Sequence, residues 1–236
     1  MRTNFDPPSD PEGNVPVCSN CDHELEQDRL NPHVWVCVNR RCKTSPSYDF
    51  IFDAHEEARE WAKDLLKLKP DQLVILDTET TGLGNYDEVC QVAMINGAGD
   101  VLINNVLIKP TIHIRADASR IHGITDETVK DAPRFTEIWG EIYKHMDGKQ
   151  LVIYNADYDT RILTQTAHAV HDGLQLGFPF KKLHDAMTMY AQYVGEWNDY
   201  RGNFKWKRLP GGDHTALGDC LAVLELIKDM AADAEA

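Results

Sequence analysis

The chain has 236 residues, 42% hydrophobic and 26% charged, a globular composition rather than a disordered or membrane-embedded one. Lys and Arg number 24 against 38 Asp and Glu, and the resulting charge of −14 argues against a protein that coats nucleic acid through bulk positive charge. No apolar run approaches the ~18 residues of a membrane span, and the first residues lack the apolar stretch of a secretory signal, so a cytoplasmic protein is expected.

Residues 1–16 carry four prolines and almost nothing apolar, the composition of a flexible tail. Residues 17–50 alternate in short segments around two pairs of cysteines. Residues 51–70 form a connecting segment. Within it Trp61, Leu65 and Leu68 fall at helical spacing, acids sit early and lysines late, and Pro70 stops the run, which predicts a helix over Asp53–Lys69. From residue 71 to 232 the pattern is that of an α/β domain. Leu73-Val-Ile-Leu76 reads as a buried strand, and two more follow at Glu88–Asn96 and Val101–Ile108, joined by the turn Gly97-Ala-Gly-Asp100. A helix opens at Ala132-Pro133 and runs to about Met146. Leu151-Val-Ile153 is a fourth strand, followed by a helix over about Asp157–His171. A short strand near Lys182–Leu183 leads into a helix at Asp185–Val194, and Thr215–Met230 is a final amphipathic helix. Three hairpin-like strands followed by strands alternating with helices indicate a mixed sheet flanked by helices.

Three acidic groups stand out. Asp77-Thr-Glu79 follows the first strand directly, and residues two apart on a strand share a face. Asp157-Tyr-Asp159 follows the fourth strand, where Asp157 or Asn155 would also serve as a helix cap. His214 and Asp219 lie in the loop before the last helix and at its start. Each group alone has an ordinary structural reading: an acidic strand end, a cap, a loop histidine. Together they place carboxylates at strand ends and helix starts, where open α/β sheets gather their sites. Carboxylates that converge there repel one another by up to ~4 kcal/mol per pair at about 4 Å and an effective dielectric of about 20, so a cation must compensate. Hard oxygen ligands suit Mg²⁺ or Mn²⁺, and two such ions ~3.5–4 Å apart form the clamp used in phosphodiester cleavage.

Asp77-Thr-Glu-Thr-Thr-Gly82, Arg120-Ile-His-Gly-Ile-Thr125 followed by Ala132-Pro133, Asn155-Ala-Asp-Tyr-Asp159 and His214-Thr-Ala-Leu-Gly-Asp219 occur in the order and spacing of the DnaQ-like exonucleases. The chain resembles the DEDDh branch of that family, which has a ribonuclease H-like fold. The resemblance covers about residues 71–232 and implies a 3′→5′ exonuclease that uses two Mg²⁺ or Mn²⁺ ions. By position it implies Asp77, Glu79, Asp159 and Asp219 as metal ligands and His214 as the general base that deprotonates the attacking water. In Asn155-Ala-Asp-Tyr-Asp159 the family pattern selects the carboxylate after the aromatic residue, which leaves Asp157 as a cap. The resemblance also brings Thr80, Thr81 and Gly82 near the terminal nucleotide and makes His122 a recurrent residue, whose alternative role is to order its own turn.

Trp197–Arg208 interleaves four aromatics with Arg201, Lys205, Lys207 and Arg208, the one basic aromatic stretch in an acidic chain. Stacking on bases and neutralising phosphates is what a single-strand binder needs; the alternative is a packed loop. Cys18-x₂-Cys21-x₁₅-Cys37-x₄-Cys42 has the layout of a zinc-ribbon-like module with one structural Zn²⁺, and residues 17–50 are too few to fold on an apolar core alone. An iron site is the alternative, with His23 and His33 as spare ligands. The expected activity is release of nucleoside 5′-monophosphates from single-stranded DNA, with a replication or repair protein as the expected kind of partner. The alternatives are an RNA-trimming or oligonucleotide-degrading exoribonuclease, and a non-catalytic nucleic-acid adaptor.

Overall fold

A computed structural model describes residues 2–4, 23, 25–27, 34–37, 48–170, 177–198 and 200–232. The chain divides into two compact units, Met1–Glu60 with Thr188–Lys207, and Trp61–Met187 with Arg208–Ala236. No helix among the described residues is long and apolar enough to cross a membrane.

In the first unit, β1 (Arg2–Asn4) and β2 (Leu25–Gln27) flank β3 (Val34–Cys37) in an antiparallel sheet, with Thr3 opposite Trp35 and Leu25 opposite Cys37. Cys37 thus ends a strand, whereas Cys18, Cys21 and Cys42 lie outside the described residues. Helix α1 (Tyr48–Leu66) starts five residues before the predicted Asp53.

The second unit holds a five-stranded mixed sheet. Its strands are β4 (Leu73–Thr80), β5 (Val89–Asn96), β6 (Val101–Leu107), β7 (Gln150–Ile153) and β8 (Lys182–Asp185), in the order β6-β5-β4-β7-β8. The β5 pairings are antiparallel and β4-β7-β8 run parallel. Between β6 and β7 come α2 (Ala116–His122), α3 (Asp126–Val129) and α4 (Phe135–Met146). Helix α5 (Ala156–Val170) joins β7 to β8. Next in the chain come α6 (Ala186–Val194) and a hairpin of β9 (Trp197–Asn198) with β10 (Asn203–Phe204), which from Thr188 onward belong to the first unit, and then α7 (Ala216–Ala232) of the second.

Strand alternation sorts β4 into two faces. Val74 and Leu76 pack in one buried cluster with Phe135, Ile142 and Met146 of α4 and Ile162, Leu163 and Ala167 of α5. Ile75, Asp77 and Glu79 have the opposite parity, on the face covered by α7, whose Cys220 thiol approaches the Ile75 and Ala93 carbonyls at 3.7 and 3.5 Å. The predicted strands are all present. Helix α4 starts at Phe135 rather than at Ala132-Pro133 because Arg134 is extended and the Glu137 carboxylate accepts its backbone N–H at 2.7 Å. Helices α2 and α3, of seven and four residues, were not predicted; they are too short to show a hydrophobic period. At the far edge of the sheet, Trp61 Nε1 donates to His184 Nδ1 (2.9 Å) and His184 Nε2 donates to Gln150 Oε1 (2.7 Å). Burial holds that neutral imidazole down to about 4.

Candidate active site

β4 is apolar for four residues and then turns polar while still paired, so Asp77 and Glu79 stand inside the strand rather than after it. Their carboxylates meet that of Asp219, in the first turn of α7, with one oxygen from each within 4.8 Å of the others. Asp159, on α5, comes from the other face of the sheet. It is 3% exposed, and its Oδ1 accepts from the Thr78 hydroxyl at 2.6 Å. The period of two that turns Asp77 and Glu79 towards α7 also turns Thr78 towards Asp159. Asp157 is exposed, and α5 is capped from elsewhere: Asp185 Oδ2, at the end of β8, accepts the Ala156 N–H at 3.0 Å. The cap expected of Asp157 is therefore supplied by a neighbouring parallel strand.

Burial followed by mutual repulsion governs these acids. Asp77 is pushed well above the usual carboxylate range by loss of water, then by Asp159, Asp219 and Glu79. Glu79 is pushed up to about 8 by burial, then by Asp219 and Asp159. Burial raises Asp159 to about 7 against the opposing Thr78 bond, and raises Asp219 against the backbone N–H groups it accepts. Such a set of hard oxygen donors, reluctant to ionise together, fits a divalent cation. A testable stability effect follows. In chelator, the folded protein holds protons between pH 6.5 and 8 that the unfolded chain has released, so its stability falls as pH rises. One such proton is worth about 1.4 kcal/mol per pH unit, or about 2 kcal/mol across this window. The expected loss of Tm is on the order of 5 °C, and saturating Mn²⁺ should remove it. Above pH 6.5 the buried histidines do not contribute, since their lowered values place their opposite effect at more acid pH. Scanning calorimetry showing a flat or rising Tm in chelator would contradict the arrangement.

His214 is exposed on the loop before α7, in the left-handed conformation with φ 62°. Two carboxylates hold it there. Asp219 Oδ1 accepts the N–H groups of Asp213 (2.9 Å) and His214 (3.3 Å), and Asp213 Oδ1 accepts from Thr215 N (3.0 Å) and Oγ1 (2.8 Å). The loop closes so tightly that a Cβ on Gly218 would lie 2.1 Å from Asp213 Oδ1.

Beside Glu79 opens a cleft of about 320 Å³, lined among others by Thr80, Gly82, Leu83, Ile121, His122 and Tyr158. His122 Nε2 donates to the Thr80 carbonyl (3.1 Å) while its Nδ1 accepts the Ile124 N–H (3.1 Å). Both ring nitrogens are thus engaged with backbone, the arrangement of a neutral turn-ordering histidine, and burial lowers its pKa. Thr81 faces inward, fully buried, its hydroxyl donating to Asp87 Oδ1 at 2.8 Å, so only Thr80 and Gly82 of this trio line the cleft. Leu83 and Ile121 were not singled out from sequence. Their exposures of 80% and 59% leave apolar side chains open to solvent at the cleft. The only sequence signal was a lone apolar residue after Gly82 and another before His122.

In the β9–β10 hairpin, the Lys205 ammonium lies 2.5 Å from Glu196 Oε1 and Lys207 pairs with the same carboxylate. Both lysines hold Glu196 down to about 2. Arg201 and Arg208 are exposed, as are Tyr200 and Trp206.

A family model described as an exonuclease (RNase T) matches residues 74–227, from β4 into α7. The uncharacterized exonuclease CP81 of Escherichia phage 186 is 37% identical over 190 residues, covering 75% of this chain and 93% of that one. The DNA polymerase III epsilon subunit of Escherichia coli (strain K12) is 33% identical over 95 residues, 36% of this chain and 39% of the subunit, so this chain spans well under half of that relative. Among solved structures, the cell-death related nuclease 4 (CRN-4) matches with a TM-score of 0.51 and 19% identity over 68% of this chain and 63% of that one. The E. coli ExoI–ssDNA complex matches with a TM-score of 0.50 and 16% identity over 66% and 39%. At these identities the structural likeness speaks for the fold alone. The exonuclease model spans every element that brings a carboxylate to this cluster, and the phage relative is matched along nearly its whole length: the chain belongs to the DnaQ-like 3′→5′ exonucleases, with their ribonuclease H-like fold.

Proposed function

We propose that the chain removes nucleotides one at a time from the 3′ end of single-stranded DNA, releasing nucleoside 5′-monophosphates. The observation that carries this is the convergence of Asp77, Glu79 and Asp219 beside the cleft that holds Leu83 and Ile121. Asp77, Glu79, Asp219 and Asp159 are the residues that would hold two Mg²⁺ or Mn²⁺ ions, which supply charge neutralisation and a more acidic water. Leu83 and Ile121 receive the terminal base, and the backbone of Thr80 and Gly82 lies alongside the sugar. His214 takes a proton from the attacking water. The phosphorus–O3′ bond to the penultimate nucleotide then breaks, and that O3′ leaves as a hydroxyl protonated from solvent. The DNA preference and a replication or repair partner rest on the relatives named as subunits of DNA polymerase III.

The β9–β10 hairpin contributes a second contact, in which Tyr200 and Trp206 stack on bases while Arg201 and Arg208 neutralise phosphates. Lys205 and Lys207 join only when Glu196 yields them. Labelled single-stranded DNA and RNA, incubated with Mg²⁺, Mn²⁺ or chelator, test the reading. Metal-dependent shortening of DNA from the 3′ end is expected. Preferential loss of RNA would establish the exoribonuclease alternative, and cleavage of neither polymer the adaptor. In the same assay Arg201→Ala with Arg208→Ala should raise KM and flatten its salt dependence; an unchanged KM would remove the hairpin from the substrate path. Cys18, Cys21, Cys37 and Cys42 are proposed to bind one structural Zn²⁺. Elemental analysis of the purified protein should find one zinc per chain; iron in its place, or no metal, would refute that.

A further inference from the structure

The first turn of α7, which carries Asp219 and follows His214, is capped largely by side chains from distant strands. The Ala216 N–H donates to Gln91 Oε1 of β5 at 3.2 Å, and the Leu217 N–H donates to Asn105 Oδ1 of β6 at 2.7 Å. Only the third and fourth N–H groups are met locally, by Thr215 Oγ1 and O. Four unmet N–H groups at a helix start are usually satisfied by a cap residue adjacent in sequence. Here two of the acceptors are 125 and 112 residues away.

Both amides sit where the sheet already serves the site. Gln91 is the cross-strand partner of Glu79, so one face of the β4–β5 pair supplies a carboxylate to the cluster and an amide to the helix beside it. Asn105 is reached by a distortion. Val92 pairs with Val106 and Met94 with Ile103, so Ala93 alone faces both Asn104 and Asn105, a β-bulge. Within it Asn105 adopts φ 45°, one of three non-glycine residues with positive φ among the described residues; another is His214 itself. A left-handed non-glycine residue carries a conformational cost, smallest for Asn, and bulges re-aim side chains next to active sites. The helix start offers N–H groups, so what it needs from the strand is a side-chain acceptor, and Asn supplies one from a left-handed position at the least backbone cost.

We propose that Asn105 and Gln91 are positioning residues for the hydrolysis. Their amide oxygens anchor the start of α7 to the sheet and so fix Asp219 and the His214 loop against Asp77 and Glu79. The inference rests on the exonuclease reading for its kinetic effect but not for its structural one. In Asn105→Gly the strained backbone conformation becomes free and the acceptor is lost, so fold stability changes little while the anchor goes. Displacement of reacting groups by about 1 Å costs up to about a hundredfold. The expected result is a kcat lowered about tenfold or more on single-stranded DNA, with KM within about twofold. Asn105→Asp keeps both the acceptor and the tolerance for positive φ and should return kcat to within about threefold of the parent. Gln91→Met, which keeps the shape and loses the acceptor, should resemble Asn105→Gly.

Hydrogen exchange of the amides of residues 213–219 reads the anchor without metal or substrate. Exchange should quicken about tenfold in Asn105→Gly and return in Asn105→Asp. Parental kcat in both Asn105→Gly and Gln91→Met overturns the proposal, as does unchanged exchange in both. If the parent protein degrades no nucleic acid, the proposed function fails, and the exchange comparison alone then decides whether these amides fix the loop.

Discussion

Asp77→Asn should abolish turnover and at the same time stabilise the metal-free protein. Asn has the shape of Asp without its charge. On the activity side, one of the carboxylates proposed to hold the metal ions is gone, and the several kcal/mol of transition-state charge stabilisation that depends on them corresponds to a loss on the order of 10³–10⁴ in kcat. On the stability side, burial and then the repulsion of Asp159, Asp219 and Glu79 disfavour an ionised Asp77, and Asn brings no charge to be disfavoured. Tm in chelator at pH 8 should rise, and its decline between pH 6.5 and 8 should flatten. Single-turnover cleavage and calorimetry on one preparation check both signs. A variant that loses activity and also melts earlier would show that Asp77 serves packing instead of the ion site.

His214 separates chemistry from folding in a different way. It is exposed, and its backbone, not its ring, is what Asp219 holds. Replacement of the ring should therefore leave stability within about 0.5 kcal/mol while removing the about 10²–10⁴-fold contribution of a general base. Asn is the better substitution because it tolerates the left-handed conformation at φ 62°. His214→Asn is expected to bind Mn²⁺ as the parent does and to lose most of its turnover. Retained turnover would assign the proton to another acceptor.

Local pattern made much of this molecule readable before its coordinates. The alternation after Leu76 announced two carboxylates on one face, and the periodicity of Phe135–Met146 and Ala216–Ala232 announced the helices that cover the sheet. What sequence could not resolve was reciprocity. Thr81 and Thr80 are adjacent and chemically identical, yet one is committed to Asp87 and the other lines the cleft. Lys205 and Lys207 read as phosphate contacts until Glu196, just ahead of the aromatic stretch, is seen between them. Asp157 looked the natural cap for α5, but the parallel β7–β8 pair delivers Asp185 to that position across 29 residues. Gln91 and Asn105 carry no signal at all, because an amide on a strand is ordinary until a helix start is brought above it.

The fit between Gly218 and Asp213 bears on how variation in this chain is to be interpreted. A methyl group at position 218 would press on the carboxylate that shapes the His214 turn, so a substitution there reaches the His214 loop through Asp213. The same contact links two positions in descent: a larger residue at 218 requires the Asp213 carboxylate to swing aside and give up its bonds to Thr215, or residue 213 to shorten. Variation at these two sites should therefore be coupled, and a homologue with Ala at the first and Asp at the second would hold its turn with the carboxylate turned aside.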